Sequence, residues 1–260
     1  MTSDVLVPIQ DFELDVKEIL SIKRQELVAV LSDPYKLNHY ADAVVQAQAV
    51  LLSGIDPNLT QQLNRTIEQL IQTLSASQKF LRPRKFNRLQ KWLGIDLDYG
   101  SGQVEYYKKL DQLLDQANHL SQKLQIEIQK SQARFQQLLG LRQQMAKYVR
   151  AAEEFLIEYP QFAPMQTSME HFIERLSKKV YSLRTLQANN DIAIAQMQLT
   201  QQLSFSLLDR YKEAQQVLIP AWQYHVKQTQ QQYSASDLEK LNTSREKLIE
   251  SLKQSLGQSK

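Results

Sequence analysis

Apolar residues in the second half of the chain recur at spacings that alternate between four and three. Leu110, Leu114, Ala117, Ser121, Leu124, Ile128, Ser131, Phe135, Leu138, Arg142, Met145, Val149, Ala152, Leu156 and Tyr159 form one such series, interrupted in its apolar character only by two serines and Arg142. An average spacing of 3.5 keeps one narrow stripe on one side of a helix. The series therefore predicts a helix over residues 103–159 that packs lengthwise against another helix. At a rise of 1.5 Å per residue, that helix is roughly 85 Å long. YPQFAP, residues 159–164, interrupts the pattern. A second series then runs through Ile173, Leu176, Val180, Leu183, Gln187, Asn190, Ile194, Met197, Gln201, Ser204, Leu208, Tyr211, Gln215, Leu218, Trp222 and His225. Two stripes joined by a short link predict an antiparallel helical hairpin, with residues 168–231 as its second arm.

The second stripe is polar at its middle, where Gln187, Asn190, Gln201 and Ser204 stand in positions that should face the partner helix. A buried amide needs hydrogen-bond partners, so three readings remain open: these residues fix the register, line a polar cleft, or face solvent where the pattern drifts. Pro220 falls inside the second arm. It has no N–H for the carbonyl of Gln216, which predicts a kink across which Trp222 can pack. Gly140 costs the first arm about 1 kcal/mol relative to alanine.

Prolines punctuate the rest of the chain. Asp33-Pro34 and Asp56-Pro57 each read as a capping aspartate followed by proline in the first turn, which predicts helices over 11–31, 34–53 and 57–78. Arg82-Pro83 opens a short fourth helix that ends before Gly94. IDLDYGSG, residues 95–102, reads as a loop, and its glycines lack the spacing of a phosphate-binding motif. SASD, residues 234–237, caps a last helix. The expected fold is all-α: an elongated antiparallel helical hairpin or coiled-coil-like bundle with N-terminal helices. Its expected parts are an N-terminal helical cap over 1–80, a basic helix and loop over 81–102, and the long hairpin with the C-terminal helix over 103–260.

Composition sharpens this picture. Six glycines against 37 glutamines suit long helices, because glutamine is a good helix former and glycine a poor one. The lack of cysteine excludes disulfides, a thiolate nucleophile and cysteine-ligated zinc, and it fits a reducing cytoplasm. No run of about 18 apolar residues is present to predict a membrane span. The N-terminal stretch has neither the basic nor the apolar region of a secretory signal. His171 with Glu174, and His119 with Asp115, could each share a helix face, yet a dimetal bundle needs more ligands than these. No nucleophile elbow or triad pattern occurs. The expectation is a protein that is not an enzyme, with no catalytic residues, cofactor or metal site.

Charge is the feature that suggests a partner. KFLRPRKFNRLQKWL, residues 79–93, holds six basic residues and no acidic one, while the whole chain carries only +3, so the remainder sums to −3. As a helix from Pro83, this stretch would set Phe86 and Leu89 on one face and Arg84, Arg88 and Lys91 on another. Arg84, Lys85, Arg88, Lys91 and Trp92 are the candidate interaction surface, suited to an acidic protein or an anionic membrane surface. Internal docking against Asp11, Glu13, Asp15 and Glu18 competes with that reading. Nucleic acid is disfavoured because no recognised binding motif accompanies the charge, and oligomerisation stays open.

The stretch QMQLTQQLSFSLLDRYKEAQQVLIPAWQYHV, residues 196–226, resembles the signature region of the toxic anion resistance family, also called the TelA or tellurite-resistance family. Gln196, Leu199 and Gln201 match its glutamine-rich helix, and Ile219, Pro220 and Trp222 its Ile-Pro-x-Trp element. Gln198 and Gln223 stand where basic residues are expected. KFNRLQKW with YYKKLDQLLDQANHLSQKL, and DLEKLNTSREKLIESL, are similar to the upstream and C-terminal parts, so the resemblance spans residues 80–260. It implies a helical cytoplasmic protein connected with resistance to tellurite and other stresses, without catalytic residues to carry over. The expected function is non-enzymatic resistance to toxic anions, exerted through protein or membrane-surface contacts in the cytoplasm or at the inner face of the membrane. A coiled-coil structural or assembly factor with no oxyanion role is the alternative.

Overall fold

A computed structural model of the protein describes residues 6–31, 33–76, 95–161, 167–231 and 235–257. Among these, every regular element is helical. The fold class is all-α, as the two stripes predict. In chain order the helices are α1 (Val16–Ile22), α2 (Val28–Leu31), α3 (Pro34–Asn38), α4 (Asp42–Leu51), α5 (Pro57–Ala76), α6 (Ile95–Glu158), α7 (Thr167–Glu213), α8 (Ile219–Gln231) and α9 (Ala235–Ser255). Two π-helical turns interrupt them, Lys23–Leu27 between α1 and α2 and Ala214–Leu218 between α7 and α8. The basic stretch 79–93, with Arg84, Lys85, Arg88, Lys91 and Trp92, lies outside the described residues, as does Ser234.

Helix starts follow the capping pattern. Asp15, Asp33 and Asp56 each turn a carboxylate oxygen onto an amide two residues on, accepting from Lys17, Tyr35 and Asn58 at 2.9 Å. Each bond satisfies an N–H that the first helical turn leaves without a partner. The expected single helix over 34–53 is instead two. Ala41 adopts a left-handed backbone with φ of 64°, and the preceding Tyr40 is buried with its hydroxyl donating to the Tyr148 carbonyl at 2.7 Å. Anchoring that tyrosine outweighs the left-handed cost of about 1–2 kcal/mol. IDLDYGSG, expected as a loop, is the start of α6. Each glycine there costs only about 1 kcal/mol, which the apolar packing of the continuing helix offsets.

The chain forms two compact units, and neither is a continuous stretch. One comprises residues 1–54 and 130–200, the other residues 55–129 and 201–260, so α6 and α7 each contribute to both. In the first unit, Leu27, Val30, Leu37 and Val44 from the N-terminal helices join Met145, Val149 and Ala152 of α6 with Leu176, Val180 and Leu183 of α7 in one core. Ion pairs join Arg142 to Asp191 and Glu153 to Arg184, so position falls along α7 as it rises along α6. The two helices are antiparallel there. In the second unit, Leu63, Ile67, Leu70 and Leu74 of α5 share a core with Leu110 and Leu124 of α6, Leu208 and Tyr211 of α7, Trp222 of α8, and Leu241, Leu248 and Leu252 of α9. The first stripe is buried from Leu110 through Ala152, and α6 continues unbroken through Gly140.

Candidate functional site

The polar middle of the second stripe is resolved by hydrogen bonding. In the first unit, Arg142 sits in the α6 stripe with its side chain only 2% exposed. A guanidinium does not shed its charge on burial, so a carboxylate must come to it. Asp191 does: Nε and Nη2 of Arg142 donate to its two oxygens at 2.7 and 2.8 Å. The guanidinium also lies over the Phe12 ring, with its carbon 5.2 Å from the ring centroid. The network continues outward. Gln187 Nε2 donates to Asp191 Oδ1 at 2.7 Å, Gln48 Nε2 donates to Gln187 Oε1 at 2.9 Å, and Asn190 Nδ2 donates to Gln48 Oε1 at 2.8 Å. Of the three readings left open for Gln187 and Asn190, exposure to solvent is excluded: both are buried and hydrogen-bonded. In the second unit, Ser204 is buried with its hydroxyl 3.3 Å from that of Thr60, and Gln201 is half-buried.

Two cavities lie in the first unit, and Asp191 of this layer borders one of them. One, of about 480 Å³, has apolar walls from Phe12, Leu14 and Val149 and a charged rim of Arg150, Glu153, Glu154, Arg184 and Asp191. Its charges are mutually engaged: Arg150 with Glu154 at 3.1 Å, Arg184 with Glu153, and Asp191 with Arg142. The other, of about 470 Å³, is bordered by Glu18, Glu26, Lys147 and Tyr148. Lys147 pairs with Glu18, and the Tyr148 hydroxyl donates to Glu26 Oε1 at 2.7 Å. Burial first, then that hydrogen bond and the Glu26 charge, push the Tyr148 phenol up to about 12. Burial similarly pushes the Tyr40 phenol well above its ordinary value.

The signature residues occupy different environments. Gln196 is exposed and Leu199 is 57% exposed, both in the first unit. In the second unit, Ile219 and Trp222 are buried on one face of α8 while Pro220 is exposed. The turn before them is widened, with Ile219 N–H reaching back to the Ala214 carbonyl, five residues earlier. Proline's missing donor is thus absorbed next to a π turn, where irregular hydrogen bonding already exists. Close by in sequence, the Tyr211 hydroxyl donates to Asn118 Oδ1 at 2.8 Å and Lys212 Nζ to Gln125 Oε1 at 2.7 Å. His119, Asp115, His171 and Glu174 are all exposed, and Glu174 pairs with Lys178 at 2.6 Å. Among the described residues no group of three potential ligands is placed to hold a metal ion.

Sequence reasoning missed two participants. Gln48 gave no signal, being a glutamine among many, and Asp191 lay one residue off the stripe.

Fold and site together define an all-helical protein whose first unit buries a hydrogen-bonded layer of Arg142, Asp191, Gln187, Asn190 and Gln48. No family model matches the chain, and no solved structure gives a significant match. Among curated proteins it is similar to Protein KlaA of Escherichia coli, with 26% identity over 212 residues covering 78% of this chain and 81% of KlaA.

Proposed function

We propose that the protein is a non-enzymatic factor in resistance to toxic anions such as tellurite, acting in the cytoplasm through contacts with another protein or with the inner membrane surface. The observation that carries this reading is the signature over residues 196–226, from Gln196 to Trp222 and beyond, which resembles the toxic anion resistance family. Similarity to KlaA over most of both chains supports treating the whole chain, rather than one motif, as the inherited unit. The internally paired charges around both cavities favour a contact role over chemistry, because a catalytic acid or base needs a proton-carrying group free to meet substrate. Among the described residues no helix is long and apolar enough to cross a membrane.

The basic stretch supplies the contact in this reading. Each near-surface basic residue contributes about 1 kcal/mol on an anionic membrane, so replacing Arg84, Arg88 and Lys91 by glutamine should weaken binding to phosphatidylglycerol vesicles by about a hundredfold. Added salt should weaken the parent protein in the same way. Cosedimentation checks both. Unchanged association together with a lowered melting temperature would assign the stretch to internal docking. A structural or assembly role without oxyanion chemistry is favoured by one observation, the exposed Ile192 and Leu199 two turns apart on α7. Oligomeric state and its loss on replacing both by serine test that reading.

A further inference from the structure

The turn at Lys23–Leu27 is one residue wider than an α-helical turn, with the Val28 N–H reaching back to the Lys23 carbonyl. An extra residue shifts the face presented beyond it by about 100°. Leu27 is fully buried there, while Glu26 beside it borders the cavity of about 470 Å³. Three segments of the first unit enclose that cavity. The α1 segment, α4 and α6 supply Ile22, Val44, Ala47 and Leu141 as its apolar wall.

Charge at this cavity does not balance. Its border carries two carboxylates, Glu18 and Glu26, against one ammonium, Lys147, and that ammonium is paired with Glu18. Lys23, one turn before Glu26, is held by Glu154 at 3.1 Å and by Glu158 at 2.8 Å. Glu26 is half-buried, and among the described residues no cation pairs with it. Its side-chain partner is neutral, the Tyr148 hydroxyl, which donates to Oε1 at 2.7 Å.

The chemistry of a fitting occupant follows from these groups. A carboxylate beside apolar walls is poorly solvated and favours a cation. The acceptors left are Glu26 Oε2 and the lone pairs of the Tyr148 hydroxyl, whose proton is already committed. An ammonium, a compact charge with three donors, fits these two acceptors, whereas a guanidinium fork asks for both carboxylate oxygens at once. A metal ion asks for more ligands, and among the described residues no group of three is placed to hold one. The apolar wall takes an alkyl chain, and the volume falls within the roughly 300–1,000 Å³ of small-molecule sites. We propose that this cavity binds a small alkylammonium ion, with Glu26 holding the charge, Tyr148 orienting it and the wall enclosing the chain. The site rests on Glu26 and its cavity and not on the resistance reading, so binding to purified protein is decided separately from any growth phenotype.

Hexylammonium chloride is titrated into the full chain carrying ¹³Cζ-labelled tyrosine, in exchange for sodium chloride so that ionic strength stays constant. The Tyr148 resonance is assigned by its loss in Tyr148→Phe. The expected result is a saturable shift of that resonance. Hexanol, uncharged but of similar shape, should bind about tenfold more weakly or worse. Glu26→Gln should weaken hexylammonium binding by about tenfold or more, as loss of a charged hydrogen bond requires. That variant still offers Tyr148 an acceptor oxygen, so it keeps the fold. Ala47→Leu fills the cavity from α4 while leaving Glu26 unaltered, and should abolish the response. Tighter binding of hexylammonium than of Nα-acetyl-lysine methylamide identifies a free alkylamine as the occupant, and the reverse order a lysine side chain of a peptide. Absence of a saturable shift, equal affinity for hexanol, or undiminished binding by Glu26→Gln or Ala47→Leu overturns the site.

Discussion

Gln48 holds two side chains of α7 with one amide, accepting from Asn190 and donating to Gln187. Gln48→Ala therefore strands a buried acceptor and a buried donor together, at about 1–3 kcal/mol each, and a urea titration should show the midpoint falling with an unchanged slope. Arg142→Met leaves Asp191 without its cation and should cost about 3–5 kcal/mol, toward the lower end because Asp191 is 25% exposed. The double variant Arg142→Met with Asp191→Leu should recover most of that loss, since no charge then remains buried. Tyr148 gives an alkaline signature. Its phenol is raised from 10.0 to about 12, so the folded state holds the proton more tightly than the unfolded chain. That contribution is full below the ordinary tyrosine value and fades as pH rises towards 12. The stability gap between the parent and Tyr148→Phe should accordingly shrink between pH 8 and pH 11, measured by chemical denaturation; a constant gap would contradict the assignment. Stripe spacing alone exposed Gln187 and Asn190 as polar positions in need of partners. The partner, Gln48, is 139 residues from Gln187, and nothing local marks it.

Between residues and helices, local rules set most boundaries and tertiary contacts moved the rest. The capping aspartates before α3 and α5 were legible because an aspartate followed by proline satisfies the first turn by itself. The break at Ala41 was not, because alanine is the best helix former and only the Tyr40 anchor on Tyr148 gives the left-handed turn a reason. IDLDYGSG erred in the opposite sense: its glycines weigh against helix locally, and the packed continuation of α6 prevails. Pro220 pointed to an irregularity in the second arm, and the irregularity takes the form of the wide Ala214–Leu218 turn. Trp222 packs just beyond it in the core of the second unit. Trp222→Ala should destabilise the protein by about 3–5 kcal/mol, while Trp222→Phe, which keeps most of the apolar volume, should cost much less. Thermal denaturation of the two variants checks this, and equal melting temperatures would remove Trp222 from its core role.

For the molecule as a whole, the long stripes were readable because a sustained 3.5 spacing demands a helical neighbour. They could not name the neighbour. Periodicity reports that a face is buried, whereas the joining of α1–α4 with one portion of α6 and α7, and of α5, α8 and α9 with the other, depends on contacts between distant segments. The functional reading has a comparable structure: the 196–226 signature was visible in the sequence, while the pairing of Arg142 with Asp191 and of Gln48 with Gln187 emerges only with hydrogen bonding in view. Its central claim is a contribution to toxic-anion resistance without catalysis. The most direct measurement is growth of a strain lacking the gene across a tellurite dose series, beside the parent and a complemented strain. The account predicts growth arrest at lower tellurite in the deletion strain, reversed by complementation, while purified protein supplied with an electron donor leaves tellurite unreduced. Identical dose curves in all three strains, with loss of the protein confirmed, would contradict it.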